Sequence, residues 1–464
     1  MKPTTLILAL ALATFGPQPA TQTAPLTGPW TGAINIQGIS MSITVTFSSA
    51  ADALTGTIDI PQQGAKGLAL KNVSHNLSAV HFELPTGINA IFEGMLDGNG
   101  IKGTFTQGPA AGTFTLTRGA PVKTPIPRPP YRVGAVTVTN GDVSIAGTLT
   151  VPEGPGPFPA VVLVTGSGAQ TRDEDIFGFK VFAVIADHLT RRGIVVYRYD
   201  DRGAGDSTGS IATSTADDFA GDALAAVAQL KTMPNIDGKR IGILGHSEGG
   251  TVAAIAASRS SDVAFVVMLA GPGLPGDVVM RRQAADSARS MGAGDTVVAA
   301  IVDAHRALMD AIKAGASTET LTALVQTLIG AQFDGVPATQ RAQLGDRAAY
   351  VEKAYRAHVA QLSTPWMKFM ATFDPATALR QVSVPVFAAF GERDTQVPPS
   401  INAQPVREAL AKNPAAVVKI LPEANHLFQK ANTGLVSEYG ALDKAFVPGL
   451  LDDLSAWMLT VTGR

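Results

Sequence analysis

The stretch Gly245-His246-Ser247-Glu248-Gly249-Gly250 constrains this chain more than any other. Before it runs an apolar segment, Ile241 to Leu244. After it comes a run rich in small residues, with Ala253, Ala254, Ala256 and Ala257. A strand that ends in Gly-x-Ser-x-Gly and passes straight into a helix has to turn sharply. The glycines let backbone segments approach closely, and the serine is pushed out with its hydroxyl exposed. An ordinary glycine-rich turn has the same letters, so the partners available to Ser247 decide what it does.

A serine hydroxyl is a poor nucleophile until a base removes its proton. Of the seven histidines, His426 follows the last apolar strand-like segment and precedes a C-terminal helix. His246 sits inside the turn and should point away from the serine oxygen. His188, His305 and His358 fall on helical segments, while His75 and His81 belong to a β-rich region and read as surface imidazoles rather than metal ligands. His426 is therefore the candidate base. An imidazole in that role needs a carboxylate to fix its tautomer. Asp394, in Gly391-Glu392-Arg393-Asp394 after the segment Val386 to Phe390, is the candidate, with Glu392 as its rival. A tetrahedral intermediate needs N–H donors. The backbone N–H of Glu248 supplies one at a helix start. Ser167, in Gly166-Ser167-Gly168 after Ala160 to Val164, supplies the second, with Gly168 and Ala169 as alternatives. That loop lacks both G-x-G-x-x-G and the P-loop lysine, so it is no phosphate cradle.

The scaffold follows from periodicity. From about Val136 short segments apolar on both faces alternate with helical stretches, the pattern of a mainly parallel sheet covered on both sides. The segments are Ala160 to Val164, Ile194 to Tyr197, Ile241 to Leu244, Val263 to Leu269, Val386 to Phe390 and Val417 to Leu421. One helix carries Phe182, Ile185, Ala186 and Leu189 inward and closes at Gly193. Another is expected to start at Ser214, with Asp217 completing a capping box. Residues 274–372 show helical periods only and read as a cap inserted over one end of the sheet. Within it Trp366 and Phe369 are candidates to line an acyl pocket, against the plainer reading of packing. Arg202 and Asp206 are expected to brace the loop after Tyr197. Residues 25–118 read instead as short alternating strands, such as Ile39 to Phe47 and His75 to Glu83, an all-β module without evident chemistry. A proline-rich linker, 119–133, separates the two, and the second domain takes 134–464.

Composition narrows the function classes. A net charge of −2 gives no electrostatic case for nucleic acid. With no cysteine, disulfides, thiolate metal sites and a cysteine nucleophile are all removed. Lys2 followed by the apolar run Leu6 to Phe15 and the polar stretch Gly16 to Pro25 reads as a signal peptide over 1–24, cleaved near Ala20 or Ala24. An exported protein, periplasmic or extracellular, with no later membrane-spanning segment is expected.

Three stretches carry a family resemblance: Thr165 to Glu174, Tyr199-Asp200-Asp201-Arg202-Gly203, and the turn Gly245 to Gly250. Together with Pro365-Trp366 and Asp394-Thr395-Gln396-Val397-Pro398, they resemble secreted bacterial serine esterases of the α/β-hydrolase superfamily. These are related to dienelactone hydrolases and to the catalytic domains of prolyl-oligopeptidase-type peptidases. The resemblance covers roughly Val136 to the C-terminus, and the chain order Ser247, Asp394, His426 agrees with it. It implies an α/β-hydrolase fold with a helical cap, a Ser-His-Asp triad, a small-molecule ester substrate cleaved through an acyl-enzyme, and no metal or organic cofactor. A serine exopeptidase or amidase using the same triad is the alternative, as is a binding protein with an inactive hydrolase domain. Thr165 departs from the pattern, standing where many α/β-hydrolases have histidine before the glycine.

Overall fold

Strands apolar on both faces need cover on both faces, and that requirement organises the larger part of the molecule. The structure, a computed structural model, describes residues 26–36, 39–50, 53–60, 65–85, 89–108, 110–119, 128–362 and 364–463. The expected signal peptide and most of the proline-rich linker lie outside the described residues. Among the described residues the chain divides into two compact units, the first ending at Gly119 and the second running from Arg128.

The first unit is a separate, barrel-like all-β domain built on a nine-stranded sheet. Alternation along its strands buries Phe47, Phe82, Phe92 and Phe114 on the inner face. The Phe82 and Phe92 rings stack at 4.5 Å, and Phe114 meets Phe92 edge-on. His75 to Glu83 is not one strand. It divides into Lys71–Asn76 and Ala79–Leu84, paired antiparallel around a turn at Leu77, whose φ is +55°. His81 pairs with Glu93 at 2.7 Å.

The second unit carries an eight-stranded sheet, its strands numbered here from β1 to β8: Tyr131–Asn140, Val143–Pro152, Phe158–Val164, Val195–Tyr199, Ile236–His246, Val266–Leu269, Val386–Gly391 and Ala416–Leu421. Their order across the sheet is β1-β2-β4-β3-β5-β6-β7-β8. The first two strands join antiparallel to a parallel body. The β1–β2 hairpin has no counterpart among the segments expected from periodicity. It turns at Gly141-Asp142, where Gly141 has φ +57°, and β1 takes in Tyr131 to Val133 from the expected linker. Every residue of β3 is buried. Ala160, Val162 and Val164 face a cluster formed with helices Ala216–Lys231 and Glu248–Arg259. Val161 and Leu163 face the other, with helices Val181–Arg191 and Leu450–Val461. This makes three layers. The cap of helix Ala216–Lys231 falls one residue later than expected: Thr215 donates its backbone N–H to Asp218 Oδ2 at 2.8 Å.

Although β6 and β7 are adjacent and parallel, helices from Gly276–Ser290 to Pro365–Thr372 lie between them in sequence. They share their own apolar cluster, with Ile301, Leu308 and Val325 buried. The insertion leaves from the C-terminal end of β6, the same sheet edge at which β5 ends in the Gly245 turn. No described helix is long and apolar enough to cross a membrane.

Candidate active site

Ser247 occupies the junction of β5 and the helix Glu248–Arg259 with φ +55° and ψ −120°. A non-glycine residue there costs about 1–3 kcal/mol, so surrounding contacts must enforce it. They do: Ser247 donates its N–H to the Leu269 carbonyl of β6 at 2.8 Å. The flanking glycines are steric necessities. A Cβ at Gly245 would stand 1.8 Å from the Gly249 carbonyl oxygen, and one at Gly249 would stand 2.2 Å from that of Val164. Glu248 opens the helix, so its N–H has no helical acceptor and is free to meet a substrate oxygen.

His426 and Asp394 come together from the loops after β8 and β7. His426 Nδ1 lies 2.8 Å from Asp394 Oδ2, and both residues are buried. The other carboxylate oxygen, Oδ1, accepts the N–H groups of Gln396 and Val397, each at 2.8 Å. The rival Glu392 is exposed and accepts the Glu423 N–H at 2.9 Å. Ser247, His426, Ser167 and Glu248 share the wall of one cavity of about 370 Å³.

The loop that carries Ser167 is tied down at several points. Thr165 donates its hydroxyl to Asp201 at 2.7 Å, and the Gln170 N–H reaches the same carboxyl at 2.9 Å. The Gly166 N–H goes to Glu174 Oε1 at 2.9 Å, which excludes it as an oxyanion donor. A Cβ on Gly166 would approach that of Ser247 to 3.2 Å, which shows how close the loop runs to the serine. The bracing expected of Arg202 and Asp206 is present. Arg202 grips Asp222 through Nε and Nη2, at 2.7 and 2.8 Å, and Asp206 pairs with Arg172 at 2.9 Å. Among the described residues no group of three or more histidine and acidic side chains is arranged to hold a metal ion.

Residues 161–438 match the Alpha/beta hydrolase family. The chain belongs to that family. It is 40% identical over 139 residues to the esterase EstD of Thermotoga maritima, a match covering 30% of this chain and 33% of that relative. Among solved structures it is similar to the α/β hydrolase GrgF from Penicillium sp. sh18, at 17% identity, over 72% of this chain and 100% of that one, with a TM-score of 0.45. It is also similar to a dienelactone hydrolase from Anabaena variabilis, at 15% identity over 71% and 98%, with a TM-score of 0.38.

Within this α/β hydrolase the cap completes the cavity. Met280 and Gln283 from one cap helix and Trp366 and Met370 from another line it. Trp366 does more than line the wall, because its Nε1–H donates to Glu248 Oε1 at 2.8 Å. Phe369 is not on that wall and stacks on Phe373, centroids 4.7 Å apart. Sequence reasoning assigns no role to Glu174 or Asp201, although both fall in the stretches that carry the family resemblance. The available signal is chemical: acidic residues beside a glycine loop that must be held still.

Burial pushes the Asp201 carboxyl from its ordinary 3.8 up to about 8, against the Thr165 and Gln170 hydrogen bonds that favour its charged form. Between those values it is protonated in the fold and ionised in the unfolded chain. Its contribution to stability is therefore complete below about pH 4 and drains away as pH rises towards 8. Asp201→Asn, which does not titrate, is expected to gain several degrees of melting temperature relative to the wild type between pH 5 and 8.5. Thermal melts across that range test it, and a pH-independent difference would show that Asp201 is ionised throughout.

Proposed function

We propose that this protein hydrolyses carboxylic esters of compact acyl groups through an acyl-enzyme on Ser247. The observation that carries the reading is the strained Ser247 at a helix start, sharing one cavity with a His426 that Asp394 holds at 2.8 Å. Membership of the Alpha/beta hydrolase family and the esterase relative support it. In this reading His426 takes the Ser247 proton as Oγ attacks the ester carbonyl carbon. The N–H groups of Glu248 and Ser167 stabilise the oxyanion. Collapse breaks the bond to the alcohol oxygen, which leaves with the proton from His426. Water then attacks the acyl-enzyme with His426 again as base, releasing the carboxylic acid and restoring Ser247.

A cavity of about 370 Å³ roofed by cap side chains is small for a ligand site and favours short acyl chains. Acetyl and butyryl esters are expected to exceed palmitoyl esters in kcat/KM by about tenfold or more, since each displaced methylene costs about 1–3 kcal/mol. Labelling by a fluorophosphonate probe, followed by ester and aminoacyl-amide panels, tests the reading. An unlabelled protein would remove the serine mechanism, a maximum at long chains would indicate a lipase, and faster amide cleavage would favour the peptidase alternative.

A further inference from the structure

His246 stands next to the reactive serine yet cannot serve it. Successive residues at the end of β5 point to opposite sides, and both nitrogens of the His246 ring are engaged away from Ser247 Oγ. They make two hydrogen bonds to groups brought from far along the chain. Nδ1 lies 2.8 Å from Glu174 Oε1, and Nε2 lies 3.0 Å from the backbone carbonyl oxygen of His426. Both His246 and Glu174 are buried, Glu174 completely. The same Oε1 accepts the Gly166 N–H at 2.9 Å. Glu174 itself adopts φ +47°, a left-handed conformation that the surrounding contacts must impose on a residue with a side chain.

These contacts form one continuous bridge. It runs from Gly166, beside the oxyanion donor Ser167, through Glu174 and His246 to the main chain of His426. The two loops it joins carry different halves of the chemistry, and each belongs to a different part of the sequence. We propose that Glu174 and His246 are a positioning pair that locks the oxyanion loop to the loop bearing the base and so keeps their spacing fixed during acyl transfer. The proposal rests on the reading of Ser247 as nucleophile and His426 as base.

The chemistry of the bridge suits that task. A carbonyl oxygen only accepts, so Nε2 donates to His426. A carboxylate that already accepts from Gly166 is best met by a second donor at Nδ1, which makes the ring an imidazolium. Burial works against that charge, and the Glu174 carboxylate, the His426 carbonyl and the Asp394 charge together outweigh it, raising the His246 pKa above its ordinary value. Glu174 Oε2 has no hydrogen-bond partner among the described residues, so this carboxylate is held through Oε1 alone, by His246 and the Gly166 N–H.

Glu174→Gln and Glu174→Asp test the pair, with kcat, KM and the rate of fluorophosphonate labelling of Ser247 as readouts. An error of about 1 Å in loop spacing lowers turnover about a hundredfold. Glu174→Gln is expected to lower kcat and the labelling rate ten- to a hundredfold while KM stays within about threefold. Glu174→Asp, which keeps the charge, is expected to recover part of that loss. Should the Gln variant not fold, the Asp variant against wild type carries the test through the same split between kcat and KM. Wild-type kcat in the folded variants, with normal labelling of the wild type, would overturn the positioning pair alone. A wild type that does not label would overturn the serine reading and the pair with it.

Discussion

Ser247→Ala is expected to lower kcat on a compact ester by about five to six orders of magnitude without loss of the fold. The variant removes the hydroxyl and nothing that shapes the turn. Gly245 and Gly249 still permit the close backbone approach, and the Ser247 N–H bond to the Leu269 carbonyl is a main-chain contact that alanine also makes. Alanine meets the same conformational cost at φ +55° as serine does. What survives is the oxyanion site, which alone gives about a thousandfold over water in enzymes of this kind. Turnover and thermal melts of the pure variant check both halves of this expectation. Undiminished activity would move the nucleophile elsewhere.

Asp394→Asn is expected to cost about 10⁴ in kcat, whereas Glu392→Gln should stay within about threefold. The reason lies in how the Asp394 carboxylate divides its work. Oδ1 accepts two backbone N–H groups, from Gln396 and Val397, and Oδ2 faces His426 Nδ1. An asparagine must give its oxygen to those two N–H groups and turn its NH₂ towards the imidazole. Nδ1 then accepts, Nε2 carries the proton, and the ring presents the wrong tautomer for taking a proton from Ser247. Glu392 is exposed, and its carboxylate accepts the Glu423 N–H rather than facing His426. Parallel kinetics on the two variants decide the matter, and a reversed order of effects would transfer the acid to Glu392.

Much of this architecture is legible in the amino-acid sequence. The turn at Ser247 can be read because its requirements are local: a strand, two glycines where no Cβ fits, and a helix. The sheet can be read because strands covered on both faces lose their alternation, as Phe158–Val164 does. Where sequence and structure differ, the cause is local as well. His75 to Glu83 alternates well enough for one strand, and the turn at Leu77 is announced only by Asn76 and Ser78, with no glycine or proline. Ser214 and Thr215 are both good helix caps, and the choice falls to whichever one the Asp218 carboxylate can reach.

The site divides along the same line. Chain order and motif setting suffice to nominate Ser247, Asp394 and His426, because each sits just past the end of a recognisable strand. The preference for Asp394 over Glu392 becomes geometry only when the loop after β7 turns one carboxylate inward and leaves the other in solvent. The partners of Glu174 and Asp201 and the second contact of Trp366 belong to the tertiary structure. Glu174 is 72 residues from His246, and Trp366 is 118 residues from Glu248. Periodicity and motifs report how a residue meets its own turn or strand. Which buried donor meets which acceptor depends on the packing of separate elements, because an unpaired polar group inside the fold costs about 1–3 kcal/mol and takes its partner from whatever the fold brings near.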